Sequence, residues 1–181
     1  MTDEILTLGS KIVYENNWMK LREDNIRYPD GHESIYGYVD KPNFSLIVAV
    51  HADGSVQMVE QFRYPVRCRQ WEFPMGVWDG KPGATPLESA QAELREETGL
   101  RAKQMELFAN FFPTPGLATQ TCHMFLATEL TTGKPCREVE EQGMITKAFM
   151  VDEILQMITS GLIKDATTIS AIGYLRLLGR I

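Results

Sequence analysis

The chain has 181 residues, 44% hydrophobic and 23% charged, with a formal net charge of −6 at pH 7. Those values fit a globular domain with a substantial core and argue against a nucleic-acid-binding surface, while leaving room for an anionic substrate wherever a cation inverts the local field. Cys68, Cys122 and Cys136 are widely spaced, no basic-then-apolar leader opens the sequence, and no stretch reaches the ~18 apolar residues of a membrane span, so free thiols and a cytoplasmic location are expected, with no membrane and no nucleic-acid partner.

In chain order, residues 11–14, 18–28 and 34–39 predict short antiparallel strands, with a turn at Pro29-Asp30-Gly31. The run SLIVAV at 45–50 is uninterruptedly apolar, which predicts a strand covered on both faces. Asp53-Gly54 is a hairpin turn into a strand at 56–62, and 70–73 is a further short strand. Thr85-Pro86-Leu87-Glu88 has the form of a capping box with proline at the first helical position, and Gly99 is a natural stop, so a helix is expected between them. Its Ala90 and Leu94, four apart, would pack inward. Strands follow around 103–112 and 121–129, then a polar loop at 131–142 and a last strand at 148–151. A helix at 152–160 closed by Gly161, and one at 166–178 capped by Asp165, complete the α+β pattern.

The most informative segment is 76–100, GVWDGKPGATPLESAQAELREETGL. A glycine-rich loop leads into a helix on which Glu93, Glu96 and Glu97 project toward one side, because positions three and four apart are neighbours on a helix. Like charges so placed repel one another unless cations neutralise them, and oxygen-only ligands suit a hard divalent ion of the kind that works on phosphates. The competing interpretation of the same residues is a solvated, glutamate-rich surface helix.

These residues resemble the Nudix box, GX5EX7REUXEEXGU. Glu93, Leu94, Glu96, Glu97, Gly99 and Leu100 match it. The loop is two residues longer when Gly76 is the box glycine, and Ala84 and Ala92 stand where the family carries a glutamate and an arginine that support each other as a salt bridge. Losing both partners leaves no buried charge without its counterpart, so the pair is read as a tolerated double loss. The resemblance implies an α/β/α sandwich with a mixed sheet for residues 41–181. It also implies an N-terminal β-hairpin extension, residues 1–40, that serves dimerisation and substrate contact in a homodimer.

Other strings are similar to the ADP-ribose pyrophosphatase branch: Glu60-Gln61-Phe62-Arg63-Tyr64-Pro65, Trp71-Glu72-Phe73-Pro74-Met75-Gly76, and Pro115 sixteen residues beyond Gly99. For that branch the resemblance implies Mg²⁺ or Mn²⁺ held by Glu93, Glu96, Glu97 and the Met75 carbonyl. Arg63, Arg67, Glu72 and Pro115 would contact substrate, and Glu140 or Glu141 would act as the general base. Arg63 and Arg67 as surface arginines, Glu72 as an arginine's partner and Pro115 as a loop-shaping residue are the alternative roles. The reaction so implied is hydrolysis of ADP-ribose to AMP and ribose 5-phosphate. Another nucleoside diphosphate derivative, or a non-catalytic ADP-ribose-binding module, are the other functions left open.

Overall fold

Three antiparallel strands open the chain: β1 (Leu6–Glu15), β2 (Lys20–Arg27) and β3 (Glu33–Asp40), in that order in their sheet. The computed structural model describes residues 4–77, 83–136 and 143–181. Between β1 and β2 the Asn16 side chain accepts hydrogen bonds from the Trp18 and Met19 amides at 2.9 Å, which explains why the second strand begins at Lys20 rather than at Trp18. This sheet belongs to one of two compact units, formed by the residues up to Asn43 and by Phe112–Thr121. Within the unit, the Val39 amide and carbonyl bond Leu117 and Thr119 at 2.8 and 3.0 Å, and the Tyr36 hydroxyl donates to the Gly116 carbonyl at 2.9 Å.

The second unit comprises Phe44–Phe111 and Cys122–Ile181. Its sheet runs β10 (Ile145–Phe149), β5 (Val56–Arg63), β4 (Phe44–Val50), β9 (Cys122–Thr132), β8 (Leu100–Phe111). β6 (Cys68–Glu72) pairs with β5, and the two-residue β7 (Met75–Gly76) pairs with β4. β4 and β9 are parallel and the other pairs antiparallel, so the sheet is mixed.

Alternation along the central strands explains the layers. Ile47 and Ala49 of β4, with Phe125 and Ala127 of β9, pack against Ala90 and Leu94 of helix α1 (Pro86–Thr98). The intervening Leu46, Val48, Met124 and Leu126 pack on the opposite face, against Ile154 of α2 (Val151–Thr159) and Ala171, Ile172 and Leu175 of α3 (Ala166–Leu177). Both faces of β4 are therefore covered, as its continuous apolar run requires. The result is an α+β sandwich. Among the described residues no helix is long and apolar enough to cross a membrane.

β1 and β8 begin earlier than expected, at Leu6 and Leu100, and two further boundaries differ for identifiable reasons. The stretch predicted as a polar loop from 131 begins as strand: Thr131 and Thr132 pair with Arg101 and Leu100, because Gly99, at φ 77, turns the chain straight from α1 into β8. The strand expected at 148–151 ends at Phe149, and Val151 already opens α2. There the Glu153 carboxylate accepts the Met150 amide at 2.8 Å and holds the helix start.

Candidate active site

Helix α1 is placed by contacts at both ends. Its capping box is complete: Thr85 Oγ1 accepts from the Glu88 amide at 3.2 Å, and Glu88 Oε2 accepts from the Thr85 amide at 2.8 Å. Ser45 Oγ donates to the Pro86 carbonyl at 2.8 Å, which ties the helix start to β4. Gly99, in the left-handed conformation, ends the helix and returns its amide to the Arg95 carbonyl at 2.9 Å.

Between these anchors the acidic face turns inward. Glu93 is 7% exposed and Glu97 2% exposed. Gly76 lies directly against Glu93: a Cβ at that position would sit 2.6 Å from Oε2 and 2.9 Å from Oε1. β7 therefore brings the Met75-Gly76 backbone up to the carboxylate because residue 76 has no side chain. β7 is itself held by its pairing of Met75 with Leu46 and by the Ile47 amide, which donates to the Pro74 carbonyl at 2.8 Å.

Glu96, on the same side, is paired with Arg95 (Nη2 to Oε1, 2.6 Å). Among the described residues no three His, Cys, Asp or Glu side chains are gathered as a ready-made metal centre. The donor set nevertheless fits a hard divalent ion: two inward-facing carboxylates one helical turn apart, a third beside them, and the Gly76 backbone against Glu93.

Arg63 and Glu72 are brought together. Arg63 Nε donates to both Glu72 oxygens at 3.0 and 2.9 Å, and Nη2 donates to Oε2. Register explains the meeting: β5 and β6 pair Arg63 with Cys68 and Val59 with Glu72, so the long Arg63 side chain reaches back along the ladder. Burial works to lower the Arg63 pKa, but the hydrogen bonds and charge of Glu72, with Glu97 and Asp165 also acting on it, carry it above its ordinary value. Burial pushes the Glu72 carboxyl up, and Arg63 opposes that shift. The guanidinium thus stands within electrostatic reach of Glu97.

Arg67 is placed differently: its guanidinium carbon lies 3.5 Å from the centre of the Tyr64 ring. Pro115 belongs to the first unit, where it lines a pocket of about 430 Å³ with Tyr36, Tyr38 and Phe112. Glu140 and Glu141 lie outside the described residues. The segment before them is fixed at Cys136, whose amide donates to the Glu96 carbonyl at 3.0 Å. The segment after them is fixed at Gly143, whose carbonyl accepts from Arg69 Nη2 at 2.8 Å. The engagement of Glu96 by Arg95 was not foreseen from the sequence, since adjacent helical residues point apart and no spacing signals such a pair.

The family model of the NUDIX domain matches residues 39–163, and that of the nucleoside diphosphate sugar hydrolase N-terminal domain matches residues 5–39. The chain is similar to an ADP-ribose pyrophosphatase of Bacillus subtilis (strain 168), 31% identical over 172 residues that span 94% of this chain and 92% of the relative. It is 30% identical to a methanol dehydrogenase activator of Bacillus methanolicus, with the same coverage. Its fold matches a crystal structure of an ADP compounds hydrolase with TM-score 0.81 at 17% identity, over 98% of this chain and 97% of the other.

Proposed function

This chain belongs to the NUDIX family and is a Nudix-type pyrophosphohydrolase; we propose that its substrate is ADP-ribose, cut to AMP and ribose 5-phosphate. The observation that carries the reading is the inward-facing Glu93–Glu97 pair with the Gly76 backbone against it and the Arg63–Glu72 pair within reach of its charge. The likeness to the Bacillus subtilis ADP-ribose pyrophosphatase supports the choice of substrate.

Glu93 and Glu97, assisted by Glu96 and the Met75 carbonyl, would hold Mg²⁺ or Mn²⁺. The ion, when bound, neutralises the diphosphate and lowers the pKa of a water molecule. The residues do the rest. Gly76 fixes where the Glu93 carboxylate sits. Glu72 orients Arg63 through Nε and Nη2, which leaves the Nη1 edge for a phosphate oxygen. Glu140 or Glu141 takes the proton of the attacking water. Cys136, the last described residue before them in the chain, donates its amide to the Glu96 carbonyl of α1. No covalent enzyme intermediate is required. The protein acts as a homodimer, joined through the first unit.

A second reading keeps the chemistry and changes the leaving group: a sugar nucleotide in place of ADP-ribose, favoured by the match of residues 5–39 to the N-terminal domain of nucleoside diphosphate sugar hydrolases. Product analysis separates the two. The full chain is incubated with ADP-ribose, a sugar nucleotide, a dinucleoside polyphosphate and a nucleoside triphosphate, with Mg²⁺ and with Mn²⁺. AMP and ribose 5-phosphate should dominate, and Glu97→Gln should lower turnover about 100-fold or more with its circular dichroism unchanged, since glutamine suits a helix as well as glutamate does. Cleavage of the sugar nucleotide alone would select the second reading. Binding of ADP-ribose with no turnover under either metal would make the protein a sensor.

A further inference from the structure

The departure at Ala92 has left a space. Ala92 is 4% exposed and, with Glu88, Gln91, Arg95 and Arg101, lines a cavity of about 370 Å³ between α1 and the start of β8. Residues 88, 92 and 95 share one helical face, and at about 100° per residue that face lies away from Glu93 and Glu97. The cavity is thus behind the candidate active site. An arginine at position 92, as in the family pattern, would project into it.

Two guanidiniums border this space against one carboxylate. Glu88 is occupied with the helix cap, its Oε2 accepting the Thr85 amide and hydroxyl at 2.8 and 2.9 Å. Arg101 forms no ion pair among the described residues. Arg95 is shared: it borders the cavity and also holds Glu96 at 2.6 Å. Planar guanidiniums suit phosphate oxygens, and the volume lies in the range of small-ligand pockets.

We propose that this cavity binds the phosphate group of a small phosphomonoester between Arg95 and Arg101, and that Arg95 couples its occupancy to Glu96. An anion in the cavity draws Arg95 away from Glu96. The freed carboxylate is then available to a cation on the other side of the helix, so divalent-metal affinity rises. By reciprocity the metal raises affinity for the anion by the same factor. Phosphomonoesters are the products of the reaction proposed above, so the site would report product to the metal-binding helix. The coupling rests on that reading of Glu96; the binding does not.

The test separates the two. Calorimetric titration of the full-length, EDTA-treated protein with inorganic phosphate and with AMP reads binding independently of turnover. One saturable site is expected, weakened at least about tenfold in Arg101→Ala and in the cavity-filling Ala92→Arg, and kept in Arg63→Ala. Arg101 is exposed, so Arg101→Ala should preserve fold and basal activity even where Ala92→Arg folds poorly. Binding that survives Arg101→Ala but disappears in Arg63→Ala would overturn the site, because the anion would then be in the active site; so would the absence of saturable binding. For the coupling, Mn²⁺ affinity followed by electron paramagnetic resonance should rise about fivefold with saturating AMP, in the range of ordinary allosteric factors. In Arg95→Ala it should already be raised and indifferent to AMP. A wild-type Mn²⁺ affinity unmoved by bound AMP would sink the coupling. A protein that binds phosphate here yet cleaves no diphosphate would instead remove the hydrolase reading and leave the site standing.

Discussion

Gly76 and Glu93 are in such close apposition that a single added methyl group would collide with the carboxylate, its Cβ 2.6 Å from Oε2. The colliding atoms are the far end of a flexible side chain, so the backbone need not move. Gly76→Ala should therefore leave the thermal midpoint within a few degrees of wild type while turning Glu93 aside. Turnover should fall by about one to two orders of magnitude, with the apparent metal requirement shifted to higher concentration. Steady-state kinetics across a metal titration, alongside a thermal melt, would show it. A large loss of stability with unchanged turnover per folded molecule would mean that the contact serves the fold alone.

The Arg63–Glu72 pair is asymmetric: the Glu72 side chain is 3% exposed and that of Arg63 39%. Removing the arginine strands a buried carboxylate, whereas Glu72→Gln leaves a cation with access to water. Arg63→Ala should cost about 2 kcal/mol, the figure for a broken buried pair reduced for Arg63's exposure, and Glu72→Gln about 1 kcal/mol or less. The double substitution should cost less than the sum. Burial already pushes the Glu72 carboxyl up, and without Arg63 it rises further. A folded-state carboxyl pKa above the unfolded one favours the fold at low pH, so the Arg63→Ala deficit should shrink as pH falls toward 5. Urea unfolding of the four proteins at two pH values gives the whole cycle.

What could be seen in the sequence was local. The cap of α1 follows from Thr85, Pro86 and Glu88 within four residues, and Gly99 marks the stop. That Glu93 and Glu97 share one side follows from helical spacing, whereas their burial comes from the packing of α1 in the fold. What stayed hidden depends on partners far along the chain. Thr131 and Thr132 have the composition of a loop and become strand because Leu100 and Arg101 offer a ladder. Pro115, sixteen residues beyond Gly99, lies in a loop that hydrogen bonds with Val39 and Tyr36, about eighty residues away in sequence, fix in the first unit. Glu72 could be read from sequence as a ligand contact or as an arginine's partner, and only the β5–β6 register shows that it grips Arg63.

The proposed homodimer would form through the first unit's surface. β1 leaves Leu6, Leu8, Ile12, Val13 and Tyr14 exposed, and Trp18 and Ile35 nearby in the same unit are exposed as well. So much apolar and aromatic area is characteristic of an interface core. Sedimentation velocity at micromolar concentration should give a dimer. Replacing Leu8 and Ile12 by serine together should yield a monomer with the same circular dichroism and at least about tenfold weaker ADP-ribose affinity. A wild-type monomer with full activity would remove the dimer from the mechanism.

Cys122 supplies a prediction about pH. It begins β9, is fully buried, and has its thiol pushed up to about 12 from an ordinary value near 9, first by burial and then by the negative charge of Asp165. The folded protein therefore keeps the proton while the unfolded chain releases it above pH 9. The unfolded state binds fewer protons in that window, so stability is fully present below about pH 9 and is lost as pH rises toward 12. For this one group the loss between pH 8 and pH 10 is on the order of 1 kcal/mol. Other side chains titrate there too, so the measurement is a difference. Cys122→Ala should be less stable than wild type at pH 8 through lost packing, by about 1 kcal/mol, and the gap should close or reverse by pH 10. Denaturation curves for both proteins at pH 8, 9 and 10 decide it. Parallel lines would show that the thiol ionises as readily in the fold as out of it, and that Asp165 and the surrounding core exert no hold on its proton.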